Sequence, residues 1–210
     1  MDLQEATPDA VTLIREATVF DLPAIEALRR SDGDSLGFVP KAKYEHITLK
    51  TSDRGRARWR YEWLIVAEDS TEITGFLLTG FHRDGCKMQQ LCVRNDARRM
   101  ERALRLVDAC ENEARRRGSR RIRCRVAADI EANMFWRAAG YEPIAITNST
   151  WLNVRESISR RPLFIYDKSL DQGTLFGLSV GSVTVPQLVP LDELMAVGQE
   201  TIPVVAGDDW

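Results

Sequence analysis

Apolar and polar positions near the start of the chain predict a strand followed by a helix. Residues 11–16 alternate between the two classes, as in a half-buried strand. Asp21 then stands where a helix cap would, Pro23 follows two positions later, and apolar residues recur at helical spacing. A glycine-containing break leads to a second, weaker helix over 41–50, and the polar, basic stretch 51–58 is predicted to be a loop.

The middle of the chain predicts three strands and the clearest helix. Apolar runs at 63–67 and 73–81, separated by a short polar segment, favour an antiparallel hairpin, and 86–93 supplies a further strand. From 97 to 117, apolar residues keep the spacing of one helix face, and Gly118 ends that helix. These apolar residues are Met100, Ala103, Leu104, Val107, Cys110 and Ala114.

The remaining elements complete an α/β order. Residues 121–126 alternate arginines with apolar residues as a strand, 128–139 predicts a helix that stops at Gly140, and 141–152 and 163–166 are extended. The predicted order is β-α-α-β-β-β-α-β-α-β-β. Residues 170–210 differ in composition, with more glycine and proline.

We therefore divide the chain into a domain, 1–169, and a C-terminal extension, 170–210. The extension carries many aliphatic residues, which seldom stay exposed in a monomer. We expect it to pack on the domain or on a second subunit, so a homodimer is one of the possibilities.

Composition narrows the class of protein. The 210 residues are 44% hydrophobic, which fits a globular domain with an appendage. The formal net charge of -2 argues against a protein that binds nucleic acid through its net charge. Mean hydropathy is -0.28, and no apolar run approaches the roughly 20 residues that span a bilayer. The acidic first residues do not resemble a secretory signal, so we expect a cytoplasmic protein without a membrane segment.

Cysteine and histidine spacing argues against a metal site. The four cysteines, with no C-x-x-C pair, and the two histidines are scattered. We expect no metal, and we expect the cysteines to fill the core as small apolar side chains. The cysteines are Cys86, Cys92, Cys110 and Cys124, and the histidines are His46 and His82.

One junction has the chemistry of an anion site. The strand 88–93 runs through a turn into the long helix, whose first amides lack intrahelical partners and face along the helix dipole. Arg98 and Arg99 add positive charge there. Taken alone, such a turn is more often a solvated helix start, but the preceding strand favours a phosphate site.

At this junction the chain resembles the GCN5-related N-acetyltransferase (GNAT) family. The family turn reads V-x-x-x-x-(Q/R)-x-x-G-x-(G/A), and Val93, Arg98, Glu101 and Ala103 stand at its marked positions. The segment 133–141, N-M-F-W-R-A-A-G-Y, is similar to the second family signature, and 14–17 with 21–25 is similar to the first strand and helix. The resemblance covers 11–168 and implies a GNAT-type acyl-CoA N-acyltransferase fold, a mixed central sheet flanked by helices, here with a C-terminal extension.

The resemblance implies an N-acetyltransferase that moves an acetyl group from acetyl-coenzyme A to an amine acceptor by direct attack. It places the pyrophosphate on amides from Arg98 onward and the pantetheine arm on the preceding strand. Glu101 departs from the glycine that the family prefers, so we expect weaker cofactor binding. The implied cofactor-binding residues are Leu91, Cys92, Val93, Arg98, Arg99, Met100, Glu101, Arg102, Ala103 and Asn133. Asn133 has a second interpretation, as a cap of the short helix.

The general acid and base are not marked by the motif. The family often places a glutamate on the strand that here offers Gln89 and Gln90, which do not titrate, and Trp136 replaces the family tyrosine that protonates the thiolate. Trp136 is better interpreted as a core aromatic. The resemblance also implies that segment 38–44, which matches the segment covering the acceptor site in this family, shapes acceptor specificity. Glu62, His82, Asp84 and Tyr44 are candidate bases, and the sequence does not choose among them.

A second function class stays open at this stage. The same departures fit a catalytically impaired GNAT-like module that binds a protein partner or nucleic acid. A basic block around the end of the long helix is by default a solvated face, although it could hold the 3'-phosphate of the cofactor or an acidic partner. Nucleic acid is not favoured, because no stacking aromatics interleave with these arginines. The block comprises Arg115, Arg116, Arg117, Arg120, Arg121, Arg123 and Arg125.

Overall fold

A computed structural model describes residues 12–33, 35–49, 61–83, 85–95, 99–148 and 161–170. The predicted loop at 51–58, the end of the predicted strand 141–152, and the C-terminal extension beyond Leu170 lie outside the described residues. What the sequence predicts for these residues, and the division of the chain after residue 169, therefore remain predictions.

The described elements follow the predicted order. The strands are β1 (Leu13–Glu16), β2 (Glu62–Asp69), β3 (Glu72–His82), β4 (Gly85–Val93), β5 (Arg121–Ala127), β6 (Glu142–Asn148) and β7 (Pro162–Ser169). The helices are α1 (Leu22–Ser31), α2 (Lys41–Leu49), α3 (Arg99–Arg116) and α4 (Ala132–Ala138).

The strands form one mixed sheet of seven strands in the order β1-β2-β3-β4-β5-β7-β6. All neighbours are antiparallel except β4 and β5, which are parallel. The predicted hairpin is β2 and β3, where Asp69 pairs with Glu72. Ser70 and Thr71, the two residues between them, have φ of 47° and 82°, as two-residue hairpin turns with positive φ at both positions require.

Two apolar clusters cover the two faces of the sheet. On one face, α3 and α4 bury their apolar sides, with Leu106 and Trp136 among the buried residues. On the other face, α1 and α2 pack on β2, β3 and β4, with Ile25 and Tyr44 at the centre. All four cysteines are buried in these clusters, as predicted from the sequence. None of the described helices is long and apolar enough to cross a membrane.

The start of α4 was predicted wrongly. The sequence pattern predicts helix from Ala128, whereas the helix begins at Ala132. The Asn133 carboxamide explains the difference, because its Nδ2 donates to the carbonyl oxygens of Ala127 at 2.8 Å and Ile130 at 2.7 Å. These bonds hold 128–131 in a turn, so the chain leaves β5 through that turn before the helix starts.

Asp21 lies at the start of α1, as predicted, but its carboxylate does not cap that helix. Arg15 donates to both of its oxygens, at 2.8 and 2.9 Å. The backbone N–H of Thr18 donates to Oδ2 at 2.7 Å. These hydrogen bonds lower the pKa of Asp21 from 3.8 to about 2, so the carboxylate ties the end of β1 to α1.

We expect Asp21 to make the protein acid-sensitive. At pH values above its pKa in the unfolded chain, a carboxyl group whose pKa is lower in the folded state stabilises the folded state. This stabilisation is lost as the pH falls through the folded-state pKa. The parent protein should therefore be about 2 kcal/mol more stable than Asp21→Asn at pH 7. That difference should shrink between about pH 4 and pH 2.

Urea unfolding of both proteins at several pH values measures this difference. Lys41→Met, on the exposed face of α2, serves as a control that should not change the pH profile. A parent and an Asp21→Asn protein that lose stability in parallel throughout the acid range would contradict the assignment.

Candidate functional site

Strands β4 and β5 separate part-way along their length. They pair only at Cys86 with Ile122, Lys87 with Arg123, and Met88 with Cys124. On the other side of β4, the register with β3 shifts at the same place, because Thr79 opposes Met88 while the neighbouring Leu78 opposes Gln90. Gln89 is therefore an additional residue in β4. Such a bulge bends the strand, and here it bends where β4 and β5 part.

A cavity of about 700 Å³ lies where the two strands separate. β4 and β5 form two of its walls, α4 and the turn before it form a third, and residues 35–37, before α2, contribute to the rim. Its size is in the range of ligand-binding sites. Its apolar lining residues include Met88, Leu91, Val93, Ala103, Val126, Phe135 and Trp136.

The two strand edges that face the cavity remain open. Among the described residues, 89–93 of β4 and 125–127 of β5 have no strand partner across the gap. Backbone N–H and C=O groups in such edges need hydrogen-bonding partners. The cavity therefore suits an extended ligand that carries amide groups and apolar segments.

The residues predicted to hold the pantetheine arm place their side chains on opposite faces of the sheet. Leu91 and Val93 line the cavity. The Cys92 side chain lies on the opposite face of the sheet, in the cluster under α1 and α2, with its Sγ 3.6 Å from the carbonyl oxygen of Leu28. Cys92 is thus placed to meet a ligand only through its backbone.

The predicted anion site lies at the start of α3, where the structure describes part of the turn. Arg98 lies outside the described residues, as do the side chains of Arg99 and Met100. Ala103 lines the cavity, which brings the first turn of α3 and the open edge of β4 to one place. The amides of this turn, unlike those of the helix interior, lack intrahelical partners.

Two charged side chains in the first turn of α3 form ion pairs within the protein. Glu101 is exposed, and Arg105, one turn later, contacts its Oε1 at 2.9 Å. Arg102 is buried and forms an ion pair with Asp69 at 2.6 Å. The Arg102 guanidinium thus ties α3 to the end of β2, and its predicted contact with a phosphate is left to its backbone.

Asn133 does not line the cavity. Its carboxamide donates to the turn after β5, and its Oδ1 accepts a hydrogen bond from the Tyr166 hydroxyl at 3.2 Å. The capping alternative is wrong, because Glu131 occupies the N-cap position and Asn133, within α4, donates to carbonyl oxygens instead of accepting from the first amides of the helix. A direct contact of Asn133 with a cofactor stays a prediction.

Comparison with known proteins decides the family. The family model described as an acetyltransferase (GNAT) domain matches residues 41–150, which is more than half of the chain. The chain belongs to the GNAT family. The predicted fold class is thereby confirmed, and the protein is a GNAT-type acyltransferase.

Solved structures of GNAT proteins share this fold at low sequence identity. A ribosomal-protein-alanine N-acetyltransferase from Brucella melitensis is 21% identical with a TM-score of 0.59, over 75% of this chain and 99% of that one. The ribosomal-protein-S18-alanine N-acetyltransferase from Escherichia coli is 14% identical, with a TM-score of 0.58 over 81% and 100%. An aminoglycoside 6'-N-acetyltransferase from Enterococcus faecium is 14% identical, with a TM-score of 0.54 over 81% and 99%. No curated protein matches the sequence.

This GNAT protein carries a polar network beside the bulge of β4. The Nζ of Lys43 contacts Glu62 Oε1 at 2.9 Å and donates to Gln89 Oε1 at 2.6 Å. The Nε2 of Gln89 donates to Glu62 Oε2 at 2.8 Å. A carboxylate from β2 is thus held against the bulge, beside Gln89 of β4.

Gly80 of β3 leaves room for this network. A Cβ at Gly80 would lie 2.8 Å from Gln89 Nε2, 3.2 Å from His82 Nε2 and 3.5 Å from Glu62 Oε2. Three side chains from three strands therefore converge above one glycine. Two candidate bases, Glu62 and His82, belong to this group, which sequence reasoning could not bring together because the strand register was unknown.

The other candidate acid–base residues are placed differently. The Tyr44 hydroxyl donates to Gln90, and burial raises the pKa of Tyr44 above its ordinary range. Asp84 lies outside the described residues. Trp136 is buried, with its ring centroid 5.2 Å from those of Phe135 and Tyr141, so the core interpretation is confirmed.

The exposed carboxylate of Glu101 gives a local prediction. Glu101→Gln removes the charge, and Glu101→Gly removes the side chain as well. Each variant should bind acetyl-coenzyme A about 3-fold more tightly, because a negative group at a helix start repels phosphate. Arg98→Glu should weaken binding. Calorimetric titration measures each dissociation constant.

The matched control is Glu45→Gln, which removes a carboxylate from a similar exposed ion pair with Lys41 on α2. It should leave the dissociation constant unchanged. If the variants at Glu101 and Arg98 also bind like the parent, the phosphate site has been assigned to the wrong turn.

Proposed function

We propose that this GNAT protein transfers an acetyl group from acetyl-coenzyme A to an amine acceptor, with the cavity between β4 and β5 as the cofactor site. The observation that carries the proposal is the pair of open strand edges facing one cavity at the start of α3. Peptide groups along an extended edge match the amide-containing pantetheine arm. The lining of Leu91, Val93 and Val126 matches its apolar segments.

The start of α3 would hold the phosphates. Its first backbone N–H groups point out of the helix toward the positive end of the dipole. Glu101 opposes this role by charge, but its pairing with Arg105 turns the carboxylate along the helix surface and leaves the amides accessible. We therefore expect binding that is present and weaker than a glycine at this position would allow.

Bound acetyl-coenzyme A supplies a thioester whose C–S bond breaks as the acceptor nitrogen bonds to the carbonyl carbon, leaving a coenzyme A thiolate that takes up a proton. This chain positions the two reactants and removes a proton from the amine nitrogen. The open edge of β4 fixes the arm, so the amine meets the thioester in a preset geometry, which by itself contributes a large rate factor.

Glu62 and His82 are the proton acceptors that the geometry favours. Both lie at the bulge, next to Gln89, which lines the cavity. Lys43 and Gln89 fix the carboxylate of Glu62, so a water held there would be oriented by it. Tyr44 is less suited, because its hydroxyl is buried and donates to Gln90.

The proposal is tested by incubating the protein with acetyl-coenzyme A and a panel of primary amines. Free coenzyme A is measured with a thiol reagent, and the acetylated amine is identified by mass spectrometry. We expect amine-dependent thiol release with one acetyl group added to the amine nitrogen. Cofactor binding without transfer to any amine would favour the alternative of a non-catalytic binding module.

A further inference from the structure

A row of charged residues crosses the sheet on the face that carries the polar network. Strand register aligns Glu62 with Gly80, Gly80 with Lys87, and Lys87 with Arg123. The row continues through Asp167 to Glu142 on the last two strands. Aligned residues of neighbouring strands share a face, so the row places Lys87 at its centre.

Two of the three carboxylates of the row, Glu62 and Asp167, have their own partners. Glu62 is held by Lys43 and Gln89. Asp167 is held by Arg121 at 2.9 Å and by Arg123 at 2.7 Å. Glu142, beyond Asp167, is exposed at the far edge of the sheet.

Lys87 is the cation of the row without a partner in the described part of the chain. No carboxylate there forms an ion pair with it, and no acceptor there takes a hydrogen bond from it. Burial and the nearby Arg125 and Lys43 lower its pKa, against the opposite effect of Glu62. A half-buried ammonium beside further cations is costly unless an anion joins it.

The position of Lys87 places such an anion next to the reaction site. Gln89, two residues further along β4, and Arg125, two residues beyond Arg123 on β5, both line the cavity. Gly80 beside Lys87 has no side chain, and a Cβ there would already crowd Gln89. The Gln89 side chain therefore lies over Gly80, so Lys87 adjoins the bulge where the thioester would lie.

We propose that the amine acceptor carries a carboxylate group that binds Lys87 while its amine reaches the cavity beside Gln89. This inference rests on the proposed acetyl transfer and adds the chemical class of the acceptor. A carboxylate accepting from a lysine ammonium forms a charge-assisted hydrogen bond. The surrounding cations also favour the neutral, nucleophilic form of the amine.

The test compares three amines with one carbon skeleton, L-glutamate, L-glutamine and L-glutaminamide, which carry two, one and no carboxylates. A peptide with an N-terminal aspartate and its asparagine counterpart distinguish a peptide source of the carboxylate from a free amino acid. The values of kcat and KM are measured by thiol release for the parent, Lys87→Met, Lys87→Arg and the control Arg30→Met, which changes an exposed cation on α1. Binding of glutarate, which has no amine, is measured by calorimetry.

We expect kcat/KM to be about tenfold higher for L-glutamate and L-glutamine than for L-glutaminamide, and about tenfold higher for the aspartate peptide than for its asparagine counterpart. The preference should appear mainly in KM, should fall to near unity in Lys87→Met, and should persist in Lys87→Arg and Arg30→Met. Glutarate should bind the parent and not Lys87→Met, a readout that does not depend on turnover.

Three results overturn the inference and leave acetyl transfer intact: equal or better turnover of the neutral amines, a preference unchanged in Lys87→Met, or glutarate binding that ignores Lys87. Failure of the proposed function is distinct, because then acetyl-coenzyme A supports no thiol release with any amine. In that case glutarate binding alone decides whether Lys87 receives a carboxylate.

Discussion

Leu91→Trp should weaken acetyl-coenzyme A binding by about 100-fold while leaving the protein folded. Leu91 lies on the open edge of β4 and lines the cavity between the separated strands. An indole there would occupy the path between β4 and β5 that an extended arm needs. Leucine at this position is only partly buried, so the larger side chain can extend into the cavity without displacing the core.

The control for this variant is Leu13→Trp on the edge strand β1, where the leucine is 54% exposed. It adds the same side chain away from the cavity and should bind the cofactor like the parent. Thermal unfolding checks that both variants fold, and calorimetry gives both dissociation constants. Binding by Leu91→Trp at the parental affinity would show that the arm does not follow this edge.

Gly85→Ala should cause the largest loss of stability among single methyl additions in the described chain, about 3 kcal/mol. Gly85 begins β4 with φ of +148°, and a Cβ there would lie 2.7 Å from the carbonyl oxygen of Arg121. Both the backbone angle and a contact with another backbone oppose the alanine. Because β4 and β5 pair just beyond this point, the strain falls on the junction that opens the cavity.

Two matched alanine variants separate the causes. Gly118→Ala changes a residue with φ of +77° and no atom within 4 Å of a Cβ, so it should lose about 1 kcal/mol through backbone strain alone. Gly37→Ala has open space and no such angle, and should be near neutral. Urea unfolding measures all three, and a Gly85→Ala protein as stable as Gly37→Ala would contradict the geometry.

Local patterns were sufficient to predict most of the fold. The spacing of Ala103, Val107, Cys110 and Ala114 predicted α3 because that helix buries a single face. The β2–β3 hairpin was equally clear from two apolar runs separated by a short polar segment. The start of α4 was predicted wrongly because a single side chain, Asn133, draws the preceding carbonyls into a turn, an effect that hydrophobic spacing does not record.

The site depended on tertiary register. The motif at the β4–α3 junction indicated where a phosphate would bind, because it depends on backbone amides that follow from strand, turn and helix. It did not show that Arg102 turns to Asp69, which is 33 positions away in the sequence. The group formed by Lys43, Glu62 and Gln89 was likewise invisible, since the bulge at Gln89 appears only once β3 and β4 are aligned.

The most direct test of the account is a calorimetric titration of the parent protein with acetyl-coenzyme A. The account predicts one site per chain with micromolar-scale affinity, and a rise in the melting temperature, because a ligand that binds only the folded state stabilises it. Occupation of the cavity between β4 and β5 should make that affinity sensitive to Leu91→Trp and not to Leu13→Trp. A titration with no heat and no thermal shift at millimolar acetyl-coenzyme A would contradict the assignment of this cavity as a cofactor site.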